Sequence, residues 1–498
     1  MKVLAGLALM LSLHAEMYVG AKATTHIQDK KSAFLFPGFL RSFGPLNNES
    51  FSVFCHPEER SDVGIQLNKI SILNSNECTD ESISVIRDAE IEETLAEMVK
   101  PIFKAAGLNP ETAKVYVINS DSINAFTIGG GYIFINSGLL LKFKNPVHII
   151  GILCHETAHM AAGHINRLIG VLQSRSNNLI AVMIASIIGM AVTGSPDAMA
   201  LLLGYAISDE RFFLRYSRSE EFAADALGAS YLLKMGYSLD ALIDVFYEFE
   251  QIDILNGGHN LPAYIRSHPK ATDRISAIKR LSEKKPINTV GKKITKKLAE
   301  KYNRLRMKLR SHLKTIDYTS DVPTDPYSKV IYFHKIGKTS EALSIARDLI
   351  AANPNDIYYK ETMAQLLYES GKIKEAIEIY KAICNDKTNI LIKIDYANAL
   401  LEHGENLDKA ISILESAKYI DNLSEEIFRL LAKAYGKKGR EGLSQLMLAQ
   451  EQMLLRNYPR AYELIKSCLL KLNKKTEVSH IKKAKYFKEL LERDYKQH

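Results

Sequence analysis

The stretch Gly151-Ile-Leu-Cys-His-Glu-Thr-Ala-His-Met-Ala-Ala-Gly-His164 decides how this chain is read, because it contains His155-Glu-Thr-Ala-His159. It holds no proline, and apolar and small residues dominate, so it predicts a helix. On a helix, positions four apart share a face, and the two imidazoles point the same way. Together they can hold one metal ion. Zinc accepts imidazole nitrogen and, in catalytic sites, keeps one position open for water. Glu156 stands beside the first histidine, placed to take a proton from that water. The competing reading is a buried helix with two satisfied histidines. A third ligand, a cleft and an address must therefore come from the rest of the chain.

The third ligand has a candidate in Ser217-Arg-Ser-Glu-Glu-Phe-Ala-Ala-Asp-Ala-Leu-Gly228, a segment of high helical propensity. Glu221 and Asp225 are also four apart and share a face. One carboxylate can complete a His2Glu zinc set. The other can accept the remaining N–H of a ligand imidazole and fix its tautomer. Apolar Phe222, Ala223, Ala224 and Leu227 interleave with them, which argues against a fully solvated acidic helix. Further on, His268 precedes Pro269, which ends any helix there. An imidazole on such a turn can stabilise an oxyanion or occupy the open metal position.

The segment before the histidine helix has mixed patterning. Apolar residues from Ile83 to Ala106 recur at helical spacing and predict a helix packed beside the metal helix, with Pro101 kinking or breaking it near its end. Val115–Ile118 reads as a strand, and Asn124 to Asn136 as strand, glycine turn, strand. An exposed edge there could hold an extended peptide, although an ordinary hairpin is the reading the residues alone favour. Residues 24–85 are poorly patterned. Within them, Cys55 to Gln66 resembles the translated form of a palindromic repeat inserted in some bacterial genes. It is read as a tolerated surface insertion, which removes Cys55 and His56 as ligands.

Composition bounds the rest. A chain of 498 residues, 46% hydrophobic and 24% charged, is a globular protein of roughly three domains. The net charge of +8 is modest, and the basic residues cluster in one region, so nucleic acid is not an expected partner. Five cysteines without a CxxC pair argue against a structural zinc knuckle. Lys2, the apolar run Val3–Leu13 and Ala21-Lys-Ala23 form a signal peptide over residues 1–23. The mature chain then starts near Thr24, exported through the inner membrane. Residues 179–207 form two apolar stretches too short to span a bilayer. They read as a helical hairpin, buried or lying on a membrane surface.

Lys284 to Lys314 carries twelve Lys or Arg residues and reads as a basic helical connector over residues 284–326, packed on one side and solvated on the other. Beyond it, Gly337, Gly371 and Gly404 recur at 34 and 33 residues, and Ala342, Ala376 and Ala410 at 34 and 34. This periodicity predicts about four tetratricopeptide-like helical pairs in 327–498, ending in a helix near 478–494. Such arrays bind proteins and supply no chemistry. The expected fold is mostly α. A helical metallopeptidase domain with a small β-sheet (86–283) is followed by a C-terminal α-solenoid.

With these residues in view, the chain resembles the zinc metallopeptidase family that contains HtpX, the CAAX prenyl endopeptidase and the mitochondrial Oma proteases. The likeness runs over about residues 85 to 475. It is greatest for periplasmic members with C-terminal tetratricopeptide repeats. It is carried by Asn124-Ala-Phe with the glycines after it, His155-Glu-Thr-Ala-His159 with His164, Glu221 with Asp225, and His268-Pro269 followed by Arg274. The resemblance implies one zinc ion per chain on His155, His159 and Glu221, with Glu156 as base and Asp225 as supporting acid. It implies that His268 can coordinate zinc in a resting, self-inhibited state. It also implies an endopeptidase acting on unfolded or misassembled envelope and outer-membrane proteins. The repeats would then recruit substrate or the outer-membrane assembly machinery. The alternative is a chaperone or adaptor working through the repeats, with latent proteolysis.

Overall fold

A computed structural model describes residues 52–57, 66–74, 77–164, 167, 210–255, 271–283, 294–313, 322–421, 424–455 and 457–495. The signal-peptide reading, the apolar segment 179–207 and His268 lie outside the described residues.

Among the described residues the chain begins with three antiparallel strands, β1 (Ser52–Pro57), β2 (Gln66–Asn74) and β3 (Glu77–Arg87). These lie in the stretch read as unpatterned. The inferred insertion starts inside β1 and ends at the first residue of β2. The sequence also predicts a helix from Ile83, but Ile83 to Arg87 belong to β3, which pairs with β4 through Val85 and Ile86. The helix α1 (Ala89–Ala105) starts only after Asp88, whose side chain accepts from the Ile91 N–H at 2.9 Å. That cap separates the two periodicities. Pro101 sits on the exposed side of α1 without ending it, so the hydrogen bond it removes falls on the solvent face.

β4 (Lys114–Ile118) pairs in parallel with β6 (Tyr132–Asn136), and the hairpin strand β5 (Ala125–Gly129) pairs antiparallel with β6. The sheet order is β1-β2-β3-β4-β6-β5, which leaves β5 at an edge. Side chains alternate across it. Val115, Val117, Ile133 and Ile135 enter the core with Ile91, Leu95 and Met98 of α1. The opposite face carries an aromatic row, with Phe126 stacked on Phe134 at 5.1 Å and Tyr116 at 5.8 Å from Phe134.

The short helix α2 (Ser137–Lys142) leads into α3 (Pro146–Ala161), which carries the histidine pair. Helices α4 (Glu210–Lys234), α5 (Asp240–Leu255) and α6 (Ala271–Glu283) follow. They share one core with α1 and the sheet through Leu232, Phe246, Phe249 and Ile278.

The basic connector helix α7 (Lys296–Leu313) departs from its reading. Its polar side is not simply solvated. Lys308 is 1% exposed. Arg306 donates to the Leu140 and Leu141 carbonyls, and the Tyr302 hydroxyl donates to the Phe143 carbonyl at 2.7 Å. The same helix reaches the repeats, where Lys335 of the next helix donates to the His312 carbonyl.

The repeats comprise five successive helical pairs among the described residues, from α8 (Pro326–Lys335) and α9 (Thr339–Ala352) to a last helix, Val478–Tyr495. About four pairs are expected from the sequence. The corner glycines Gly337, Gly371 and Gly404 all have φ between +77° and +83°, and a further one, Gly439, has φ +69°. Only glycine adopts that conformation cheaply, which is why the turn recurs with it. Ala342, Ala376 and Ala410 are fully buried within the repeat core. None of the described helices is long and apolar enough to cross a membrane.

Candidate metal centre

α3 is buried almost all round, from Ile149 to His159. Asn145 caps it by accepting from the Val147 N–H, and Pro146 occupies its first turn. A helix enclosed this way holds its side chains in fixed rotamers. His155 and His159 lie on one face, fully buried and 9% exposed, with their Nε2 atoms 3.0 Å apart.

α4 runs alongside, and Gly228 lets it come close. A Cβ at Gly228 would stand 3.2 Å from the Cys154 carbonyl carbon and the His155 nitrogen. The close approach puts Glu221 and Asp225, both buried, onto the histidines. Glu221 Oε2 is 3.4 Å from His155 Nε2, and its Oε1 is 3.2 Å from His159 Nε2. The ligand atoms of His155, His159 and Glu221 all lie within 4.8 Å of one another. A tetrahedral zinc with bonds near 2.0–2.1 Å requires neighbouring ligand atoms to be about 3.3 Å apart. The spacing and the N, N, O donor set therefore fit zinc.

Asp225 takes the other side of His155, with Oδ1 3.0 Å from Nδ1. That contact fixes the tautomer and leaves Nε2 to face the ligand cluster. Asp225 is gripped in turn by Arg274 of α6, whose Nε and Nη2 each donate to its carboxylate at 2.7 Å. Arg274 Nη1 also lies 3.4 Å from Glu221 Oε2, and the guanidinium stacks 4.4 Å from the Phe246 ring centre. Burial pushes the Asp225 carboxyl up, but the charge and hydrogen bonds of Arg274, with that of His155, hold it below the ordinary value. It stays an anion.

Glu156 is 1% exposed. Burial pushes its carboxyl up to about 7, Glu221 adds in the same direction, and His155 and His159 oppose it. A carboxyl balanced near neutrality can both take and return a proton.

All the sequence-predicted site residues except His268, which is outside the described residues, therefore meet at one place. Three further participants carry no assigned role in the sequence reading: Arg274, His164 and Gly228. Arg274 and His164 stand out only as parts of a family pattern. Gly228 is an interior helix glycine, which normally marks a close backbone approach. Cys154 is buried and makes a small core residue, and Cys154, Cys384 and Cys468 are free thiols.

Residues 86–282 match the profile described as Peptidase family M48, and residues 367–434 match that described as Tetratricopeptide repeat. The chain thus carries a family M48 peptidase domain followed by tetratricopeptide repeats. Among characterised proteins, it is similar to the Beta-barrel assembly-enhancing protease of Escherichia coli (strain K12), 24% identical over 327 residues, covering 64% of this chain and 66% of that protein. A Putative beta-barrel assembly-enhancing protease of Vibrio cholerae is 23% identical over 338 residues, 65% of this chain and 68% of that one. The human protein Metalloendopeptidase OMA1, mitochondrial, is 26% identical over 195 residues, 38% of this chain and 36% of that one. The chain spans about two thirds of the length of the first of these relatives.

Proposed function

We propose that this chain is a zinc-dependent endopeptidase of the bacterial periplasm that degrades or processes misassembled envelope and outer-membrane proteins. The observation that carries the reading is the convergence of His155, His159 and Glu221, with the buried carboxyl of Glu156 on the same helix. The export signal read in residues 1–23 supports the compartment. The names of the similar proteases support the substrate class.

His155, His159 and Glu221 would hold the zinc. When bound, zinc supplies Lewis-acid polarisation of a carbonyl and acidifies water. Glu156 would take a proton from the attacking water and deliver it to the leaving amine. Asp225 holds His155 in one tautomer, and Arg274 holds Asp225. Strand β5 lies at the sheet edge and packs against α3, so its outer edge can hold a substrate peptide extended beside the site. The repeats recruit the unfolded substrate or the assembly machinery. The family resemblance implies that His268, which lies outside the described residues, would act at the metal in a resting state.

The test is cleavage of a casein-type unfolded substrate by the purified full chain. Cleavage should stop on chelation and return with zinc at one ion per chain. Cleavage that persists in fully metal-free protein contradicts the reading.

A further inference from the structure

The two histidine ligands are held from behind by different chemistry. His155 leans on the carboxylate of Asp225, whereas His159 leans on an imidazole: His164 Nδ1 lies 2.8 Å from His159 Nδ1. The two rings meet edge to face, at an interplanar angle of 79° with centroids 4.9 Å apart. His164 is 3% exposed.

This contact is not a by-product of helical spacing. Residues five apart on a continuous helix are about 140° apart around the axis, so they face different ways. Here α3 ends at Ala161, and the Gly163 N–H closes the turn onto the Met160 carbonyl at 3.0 Å. Gly163 has φ +68°, which turns the chain back and brings His164 under His159. A second tie secures the turn. Arg167 donates to the Ala162 carbonyl at 2.6 Å and to Glu220 Oε1 at 2.8 Å. Glu220 Oε2 stands 3.9 Å from His164 Nδ1, and Glu220 adjoins the ligand Glu221 in the chain. The end of the metal helix, the third ligand and His164 are thus bound into one unit.

We propose that His164 is the positioning residue for the metal ligand His159. This rests on the zinc reading of the site. Since His159 Nε2 faces the other two ligand atoms, its Nδ1 carries the proton and donates it. His164 Nδ1 is then the acceptor. That hydrogen bond fixes the tautomer and ring orientation of His159, the task Asp225 performs for His155. It does so with an imidazole rather than a carboxylate against the ring. His164 touches neither water nor substrate in this role and acts through His159.

The test is competition for zinc between the full chain and a chromophoric chelator, in a Glu156→Gln background that prevents self-cleavage. Loss of a residue that supports a ligand lowers metal affinity by about 10- to 100-fold. His164→Ala should weaken zinc by that amount. His164→Asn, whose Oδ1 can accept at nearly the place of Nδ1, should recover to within about threefold of the parent. Thermal denaturation of the metal-free proteins separates folding from ligand positioning. Should the alanine variant fail to fold, the folded asparagine variant decides alone. Parental zinc affinity in His164→Ala overturns the proposal, and so does a folded His164→Asn that binds as weakly as the alanine variant. A parent that binds no zinc would instead sink the reading of the site itself.

Discussion

Lys308 of the connector helix places its Nζ 2.6 Å from Oδ2 of Asp88, the residue that caps α1, and both side chains are buried. Lys308 Nζ also lies 3.6 Å from Glu90 Oε2, and Arg304 pairs with the same carboxylate. The Tyr327 hydroxyl, from the first repeat helix, donates to Glu90 as well. α1 packs on α3 through its apolar face. The connector is therefore a joint that fixes the start of α1 against the repeats. Removing one partner of a buried pair leaves the other charge uncompensated, at a cost of about 3–5 kcal/mol. Lys308→Ala should lower stability by that amount in urea denaturation. A change below about 1 kcal/mol, the size of an exposed pair, would contradict the burial.

The same joint makes stability depend on pH. Glu361 on the third repeat helix (Ile357–Glu369) is 1% exposed. Burial pushes its carboxyl well above the ordinary value. Lys308 opposes the shift, and Asp88, Asp395 and Glu90 add to it. A carboxyl raised in the folded state stabilises fold most below its unfolded value. That contribution is lost as pH rises through the folded value. Glu361→Gln keeps a neutral amide at every pH. Urea midpoints at about pH 5 and about pH 8 should therefore show the parent losing ground to the variant as pH rises, by at most about 1.4 kcal/mol per pH unit. Parallel curves would show that Glu361 does not hold a proton there.

Gly228 sets the spacing of α3 and α4. Gly228→Val forces the two backbones apart and should cost about 1–3 kcal/mol. It should also weaken zinc binding, because Glu221 moves with α4. Gly228→Ala trades a smaller clash against about 0.5–1 kcal/mol of helix preference and should be nearly neutral. Equal melting temperatures for all three proteins would show that the contact is slack.

Arg274 makes two hydrogen bonds to one buried carboxylate. Arg274→Met leaves the buried Asp225 carboxylate with the His155 imidazole as its remaining partner and should cost about 3–5 kcal/mol. Arg274→Lys keeps the charge but loses the paired donors, so it should recover only part of that. Full recovery by lysine, read by thermal denaturation, would show that charge alone matters.

Local residues in the sequence carry much of this arrangement. The four-residue spacing of His155 and His159, and of Glu221 and Asp225, suffices to put each pair on one helix face. It does not say which carboxylate meets the Nε2 atoms and which meets Nδ1. That depends on the crossing of α3 and α4, hence on Gly228. The repeats are legible because each corner needs a glycine at positive φ. Two features are not legible for the same reason. Ile83 to Arg87 become a strand through pairing with β2 and β4. Lys308 is buried by Asp88, far away in the chain, although its own helix reads as a solvated basic face. Local periodicity does not record partners that distant.

The central claim is that a buried carboxyl beside the first histidine moves the proton in metal-dependent peptide cleavage. Glu156→Gln preserves size and leaves His155, His159 and Glu221 intact. Zinc content and cleavage of an unfolded substrate, measured on the same preparation, test it most directly. The account predicts one zinc per chain with cleavage reduced by about two to four orders of magnitude. Undiminished cleavage by the zinc-loaded variant would contradict it.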